Sequence, residues 1–144
     1  MAGPFSAINH IGFVVKNLDE GARFFTDVLG FEAVTTRTGE LTPSGDDTLT
    51  RRFGVDAAAH GRFAFFRLGD TFIELLEWSA PGRNETVPLN SDLAGRHLAI
   101  SVTDVDAALA RLKSFEGVTV REPNEAGYIY CATPLGLEIQ LIPV

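Results

Sequence analysis

The sequence is short of several things that would each point to a class of function. A single cysteine, Cys131, excludes an internal disulfide framework. With no activating neighbour in the sequence, it reads as a small buried hydrophobe. Lysine occurs only at Lys16 and Lys113, and 12 Lys+Arg against 19 Asp+Glu leave a net charge of −7. So acidic a chain lacks the basic face that nucleic acid or an anionic membrane rewards, and neither is expected as a partner. No apolar run approaches the roughly 20 residues that cross a bilayer. The N-terminus has no basic, long-cored secretory signal, so the sequon Asn84-Glu85-Thr86 reads as an accident. The expected location is the cytoplasm. No P-loop, dinucleotide fingerprint or nucleophile elbow occurs.

What is there is an ordinary globular composition, 45% hydrophobic and 22% charged over 144 residues, enough for one domain. The chain then repeats itself. Ile8–Val15 is apolar and β-branched, as a buried strand is, and Asn17-Leu18-Asp19 opens a helix with Asn17 or Asp19 as N-cap. Ala22, Phe25, Val28 and Leu29 recur at helical spacing, and Gly30 ends the segment. From Arg96 the same order returns: His97–Val102 as a strand, Thr103–Asp106 as a helix start, Gly117 beyond its end. His10 and His97 lie 87 residues apart, as do Asp19 and Asp106.

Three strands follow in each half. Glu32–Arg37, Arg62–Leu68 and Thr71–Trp78 are expected in the first, the last two joined at Gly69-Asp70, a hairpin turn. Val118–Arg121, Gly127–Ala132 and Leu137–Ile142 are expected in the second. The fold class is therefore α+β, two β-α-β-β-β modules: module one about 6–80, a linker about 81–94, and module two about 95–144, within one domain of residues 1–144. The polar stretch from Thr38 to Gly61 is extra to the first module and reads as a lid or loop.

His10 and His97 hold the same place early in the first strand of each module. The last strand of each carries a carboxylate among apolar neighbours, Glu74 and Glu138. A carboxylate taken out of water needs a partner or a metal. Two imidazoles and two carboxylates suit a divalent ion, zinc in the first place, with Co, Ni, Mn or Fe(II) as further candidates. The metal ligands expected are His10, Glu74, His97 and Glu138. Glu77 is the fallback for Glu74, although alternation puts it on the opposite face. His60 and the pair Arg51-Arg52 read as solvated, Tyr128 and Tyr130 as packing or pocket lining, and Trp78 as a wall on the face of Glu74.

The stretches His10-Ile-Gly-Phe-Val-Val-x-Asn-Leu-Asp and Phe25-x-x-Val-Leu-Gly-Phe31, within paired β-α-β-β-β units, resemble the vicinal oxygen chelate superfamily. It includes glyoxalase I, methylmalonyl-CoA epimerase, extradiol dioxygenases and fosfomycin- or bleomycin-resistance proteins. The resemblance covers essentially the whole chain. It implies U-shaped open barrels with a metal on the concave side, at positions matching His10, Glu74, His97 and Glu138.

Four ligands leave two open positions on a six-coordinate ion, enough for a chelating substrate but not for a diol together with oxygen. That counts against ring cleavage and favours proton transfer beside a carbonyl, with the ion as Lewis acid and Glu74 or Glu138 as general base. Glyoxalase I proteins usually carry an arginine where this chain has Val14, and Phe72–Glu77 looks more like the epimerase branch. Epimerases of that branch, however, usually have histidine where this chain has Arg96. The expected activity is a metal-dependent epimerase or isomerase acting on a keto-cyclitol or keto-sugar (2-epi-5-epi-valiolone type) or an acyl-CoA (methylmalonyl-CoA type). A glyoxalase I-like lactoylglutathione lyase and a metal-free, drug-binding protein like those of bleomycin resistance are the alternatives. A small-molecule substrate and a homodimer complete the expectation, because half-barrels leave open sheet edges.

Overall fold

The structure is a computed structural model and describes residues 3–144. Strand β1 (Ile11–Val14) leads into helix α1 (Leu18–Arg23), which continues as a π-helical turn over Phe24–Val28. Strands β2 (Glu32–Leu41), β3 (His60–Leu68) and β4 (Thr71–Ser79) follow, with the short helix α2 (Thr48–Phe53) between β2 and β3. The second module has β5 (His97–Val102), α3 (Val105–Lys113), β6 (Thr119–Val120), β7 (Ile129–Ala132) and β8 (Glu138–Pro143). The sheets run β1-β4-β3-β2 and β5-β8-β7-β6, the same topology twice. In each, the first strand pairs parallel with the last and the remaining pairs are antiparallel.

The repeat reaches down to the caps. Asn17 accepts the Glu20 N–H at 2.8 Å to start α1, and Asp104 accepts the Ala107 N–H at 2.9 Å to start α3. Asn17 and Asp104 are again 87 residues apart, so Asn17, not Asp19, is the cap. Each such bond satisfies an amide that the helix itself leaves without a partner. Gly30, at φ 78°, takes the left-handed turn that ends the helical run.

The segment expected as a loop from Thr38 is more ordered than its composition suggests. β2 continues to Leu41, because Thr38–Leu41 pair with Gly61–Ala64 beyond an irregularity in register after Val34. Trp78 explains Gly61: a Cβ there would stand 2.6 Å from the indole.

Both modules turn their helices to one shared apolar core. Phe24 and Phe25 are fully buried with Ile73 and Leu75 of the first sheet, and Ile139 and Leu141 of the second belong to the same cluster. Phe24 meets Phe115 edge-on at 5.0 Å, and Arg111 donates to the Asp27 carbonyl at 2.7 Å. The opposite sheet faces are partly open: Gly12, His97 and Ala99 are exposed and Glu74 and Glu138 half-buried, while Phe65 and Gln140 are buried. The accessible surface is 9153 Å², where a compact monomer of this mass exposes about 7,200 Å². Among the described residues no helix is long and apolar enough to cross a membrane.

Glu77 ties the start of α1 to the sheet. It accepts the Leu18 N–H at 2.6 Å and pairs with Arg62 at 3.0 Å. Burial opposes its ionised form, but the bonds from Arg62 and Leu18 outweigh it and hold the carboxyl below its ordinary 4.5. A depressed carboxylate lends stability that is fully present above its unfolded value and is lost as pH falls through the folded one. Glu77→Gln should therefore destabilise by about 1–3 kcal/mol at neutral pH. Urea titrations from pH 7 down to pH 3 should show the gap to wild type narrowing toward the acid end.

Candidate active site

Strand alternation sorts the side chains of each sheet. Phe13, Ile73, Leu75, Ile139 and Leu141 enter the core, so Gly12, Glu74, Ala99, Glu138 and Gln140 lie on the other face. His10 sits immediately before β1. Its Nε2 lies 3.4 Å from Glu74 Oε2, with the side chains 35% and 20% exposed. Its Nδ1 meets the Asn9 side-chain oxygen at 2.8 Å. In the neutral ring, a proton on Nδ1 leaves the Nε2 lone pair on the Glu74 side, the tautomer that a metal-ligating histidine takes. Two donors each about 2.1 Å from one ion stand roughly 3.0–3.4 Å apart. The His10–Glu74 pair thus fits a divalent ion in both donor type and spacing.

On the second sheet His97 pairs in register with Glu138. The Glu138 carboxylate is engaged by the Arg121 guanidinium, one bond at 3.2 Å, and by the Asn90 amide at 3.0 Å. The bond from Arg121 is the chief reason its carboxyl is held below 4.5, against the effect of burial.

The four residues chosen from the sequence do not converge within one chain. Among the described residues no group of three or more His, Cys, Asp or Glu is placed to hold one ion. His10 and Glu74 form one pair, and His97 with Glu138 lies on the other sheet. A cavity of about 420 Å³ under the linker is lined by Val14, Arg83, Arg96 and Leu135, among others, but by none of these four. Glu77 faces α1, as alternation requires, and His60 opens β3 opposite Ser79. Cys131 is fully buried, and burial pushes its thiol up.

Register reveals a position that residue type concealed. Gly12 pairs with Glu74; its repeat partner Ala99 pairs with Gln140. On the other side Glu74 pairs with Phe65, and Gln140 with Tyr130. The aromatic contacts repeat as well: His10 meets Phe65 edge-on at 4.9 Å, and His97 meets Tyr130 at 5.2 Å. The structural counterpart of Glu74 is therefore Gln140, which is buried, and the counterpart of Glu138 is Phe72. The signal stands in the sequence as the triads Ile73-Glu74-Leu75 and Ile139-Gln140-Leu141. Choosing by carboxylate passes it over.

Comparison with known proteins agrees with this architecture. The Glyoxalase/Bleomycin resistance protein/Dioxygenase superfamily model matches residues 7–141. A 2-epi-5-epi-valiolone epimerase from Actinomyces sp. is 40% identical over 146 residues, covering 94% of this chain and 78% of that protein. The structure of a glyoxalase family protein from Bacillus cereus superposes with a TM-score of 0.77 at 19% identity, covering 98% of this chain and 95% of that one. Glyoxalase I of Leishmania major follows the same fold, with a TM-score of 0.64 at 20% identity over 96% of this chain and 87% of that one.

The Arg121–Glu138 pair is directly testable. In Arg121→Ala the Glu138 carboxyl should titrate upward toward 4.5, read by carbon NMR of the side chain. An unmoved titration would show that Arg121 does not govern it.

Proposed function

The chain belongs to the glyoxalase/bleomycin resistance protein/dioxygenase superfamily, and from that premise we propose that it is a divalent-metal-dependent epimerase acting beside the ketone of a keto-cyclitol of the 2-epi-5-epi-valiolone type. The observation that carries this reading is the His10–Glu74 pair, ready for an ion, in a chain 40% identical to an epimerase of that cyclitol. The matching half, His97 with Gln140, lies on the second sheet in the same register. One chain keeps the halves apart, so the complete site belongs to a homodimer, His10 and Glu74 of one protomer facing His97 and Gln140 of the other. The partly open sheet faces and the large accessible surface support that assembly.

In this arrangement His10, Glu74 and His97 supply two imidazoles and a carboxylate, and the Gln140 amide oxygen is the fourth donor. A divalent ion bound there supplies Lewis-acid stabilisation of the charge that develops on the substrate carbonyl oxygen. Asn9 holds the His10 ring in orientation. Glu74 takes the proton from the carbon beside the carbonyl. Epimerisation returns a proton to the opposite face, the side of the second sheet, where the Tyr130 hydroxyl is the donor and is reprotonated from solvent, while Glu74 gives up to solvent the proton it took. Glu138, already engaged by Arg121 and Asn90, serves as a hydrogen-bond acceptor on that wall and not as a ligand.

Incubation with 2-epi-5-epi-valiolone in heavy water should place deuterium at the carbon beside the ketone. Chelator should abolish the exchange and added Zn, Co, Ni or Mn restore it. Exchange indifferent to chelator sinks the metal-dependent reading. Glu74→Gln should lower kcat by about 10²–10⁴-fold. In metal analysis, Gln140→Ala should lose more bound metal than Glu138→Gln; the reverse order would return the ligand role to Glu138.

Complementation tests the shared site. His10→Ala and His97→Ala should each be inactive alone. Mixed and allowed to exchange subunits, they should recover about a quarter of wild-type activity, because half the dimers then carry one intact site. No recovery, with exchange confirmed by mass, would place the site within one chain.

A further inference from the structure

We propose that Arg37 is a substrate-binding residue of the His10–Glu74 half-site and that it reads the ring hydroxyls of a neutral, polyhydroxylated ketone. The inference rests on the dimeric site proposed above. Its first support is backbone geometry. Val34 pairs with Phe65, and the next paired residue of β2 is Thr38, opposite Ala64. Thr35, Thr36 and Arg37 are thus extra to the ladder, and such a bulge re-aims the side chains it carries. Arg37 is delivered over the Phe65 ring, its Cζ 3.8 Å from the centroid, and stands 5.5 Å from that of Phe72. The same Phe65 touches the His10 imidazole and pairs in register with Glu74.

The second module supplies an internal control. Arg121 donates its backbone N–H to Tyr130, the counterpart of Phe65, at 2.9 Å. Its guanidinium goes to Glu138, the counterpart of Phe72. Each module therefore lays an arginine beside the equivalent aromatic residue. In the second a carboxylate occupies it. In the first, Phe72 stands where that carboxylate would be, and among the described residues Arg37 has neither an ion pair nor a hydrogen bond.

A guanidinium held by the face of a ring keeps its in-plane N–H donors free. Stacking alone accounts for the placement of Arg37, but it leaves those donors turned to whatever enters the half-site. An anion is the poorer occupant. In the dimer the wall opposite carries Glu138, whose charge Arg121 already balances, and Glu74 lies beside Phe65, so a phosphate or carboxylate at Arg37 would also meet the Glu74 carboxylate. A hydroxyl both accepts from Arg37 and donates to Glu138. That suits a ring bearing several of them.

Binding separates this inference from the activity. Calorimetry would use the metal-loaded wild type and Arg37→Met with 2-epi-5-epi-valiolone and with analogues lacking single ring hydroxyls. Arg37→Met should weaken binding of the full cyclitol by about 10- to 100-fold. The loss should fall mainly on KM and not on kcat, with bound metal and Tm held. One deoxy analogue should bind wild type and variant alike, and Arg37→Lys should recover only part of the loss. Binding of the full cyclitol within twofold of wild type overturns the inference. So does a loss of metal or of several degrees in Tm, which marks a structural role, or an equal penalty across every analogue. Tighter binding of an acyl-CoA or sugar phosphate than of the cyclitol, through Arg37, overturns the neutral-ligand assignment. Arg37-dependent binding without proton exchange removes the epimerase reading and leaves this one standing. Exchange with an unchanged KM in Arg37→Met does the opposite.

Discussion

Parallel pairing of the first strand of each module with its last is the constraint on which the site depends. The helical segment of each module covers one face of the sheet, bringing Phe24 and Phe25 into one core with Ile73 and Leu75 of β4, and Leu112 with Ile139 and Leu141 of β8. Because side chains alternate, the same pairing commits Gly12 and Glu74, or Ala99 and Gln140, to the uncovered face. A slip of one residue would bury Glu74 among phenylalanines and expose Ile73. The cost of burying an unpaired carboxylate forbids that register.

The repeat is faithful in backbone and unequal in chemistry. Phe65 and Tyr130, Glu74 and Gln140, Phe72 and Glu138 occupy corresponding places on the two sheets. The first sheet holds the carboxylate next to its histidine, and the second holds an amide there with its carboxylate already bound by arginine. Two similar modules thus present one basic group between them at the paired positions. Such inequality suits a reaction that takes a proton on one side and returns it on the other.

Much of this was legible without coordinates. The helix starts at Asn17–Asp19 and Thr103–Asp106, the hairpin at Gly69-Asp70 and the 87-residue spacing of the histidines are local features, written in neighbouring residues. The pairing of His10 with Glu74 was legible too, because both stand in strands whose apolar alternation is plain. Glu138 shows where local reading stops. A carboxylate in an apolar strand drew attention by its type, while its equivalent neighbour Gln140 attracted none, being uncharged. Only pairing with Ala99 and Tyr130 reveals their relation. Arg37 was passed over for a related reason, since a bulge is set by how two strands align and leaves no mark in either one alone.

The sequence by itself determined the two modules, their order of elements, the acidic balance and the candidate donors, because each depends on near neighbours and on side-chain type. Tertiary structure decided which donors face one another. It set His10 against Glu74, turned Glu138 to Arg121, aligned Gln140 with Glu74's place and kept the His10–Glu74 and His97–Glu138 pairs on separate sheets of the chain. Those outcomes follow from strand register and from burial of both helices in one core, which are properties of residues far apart in sequence. The single cysteine excluded an internal disulfide framework; burial of both helices in one core left the opposite sheet faces partly open.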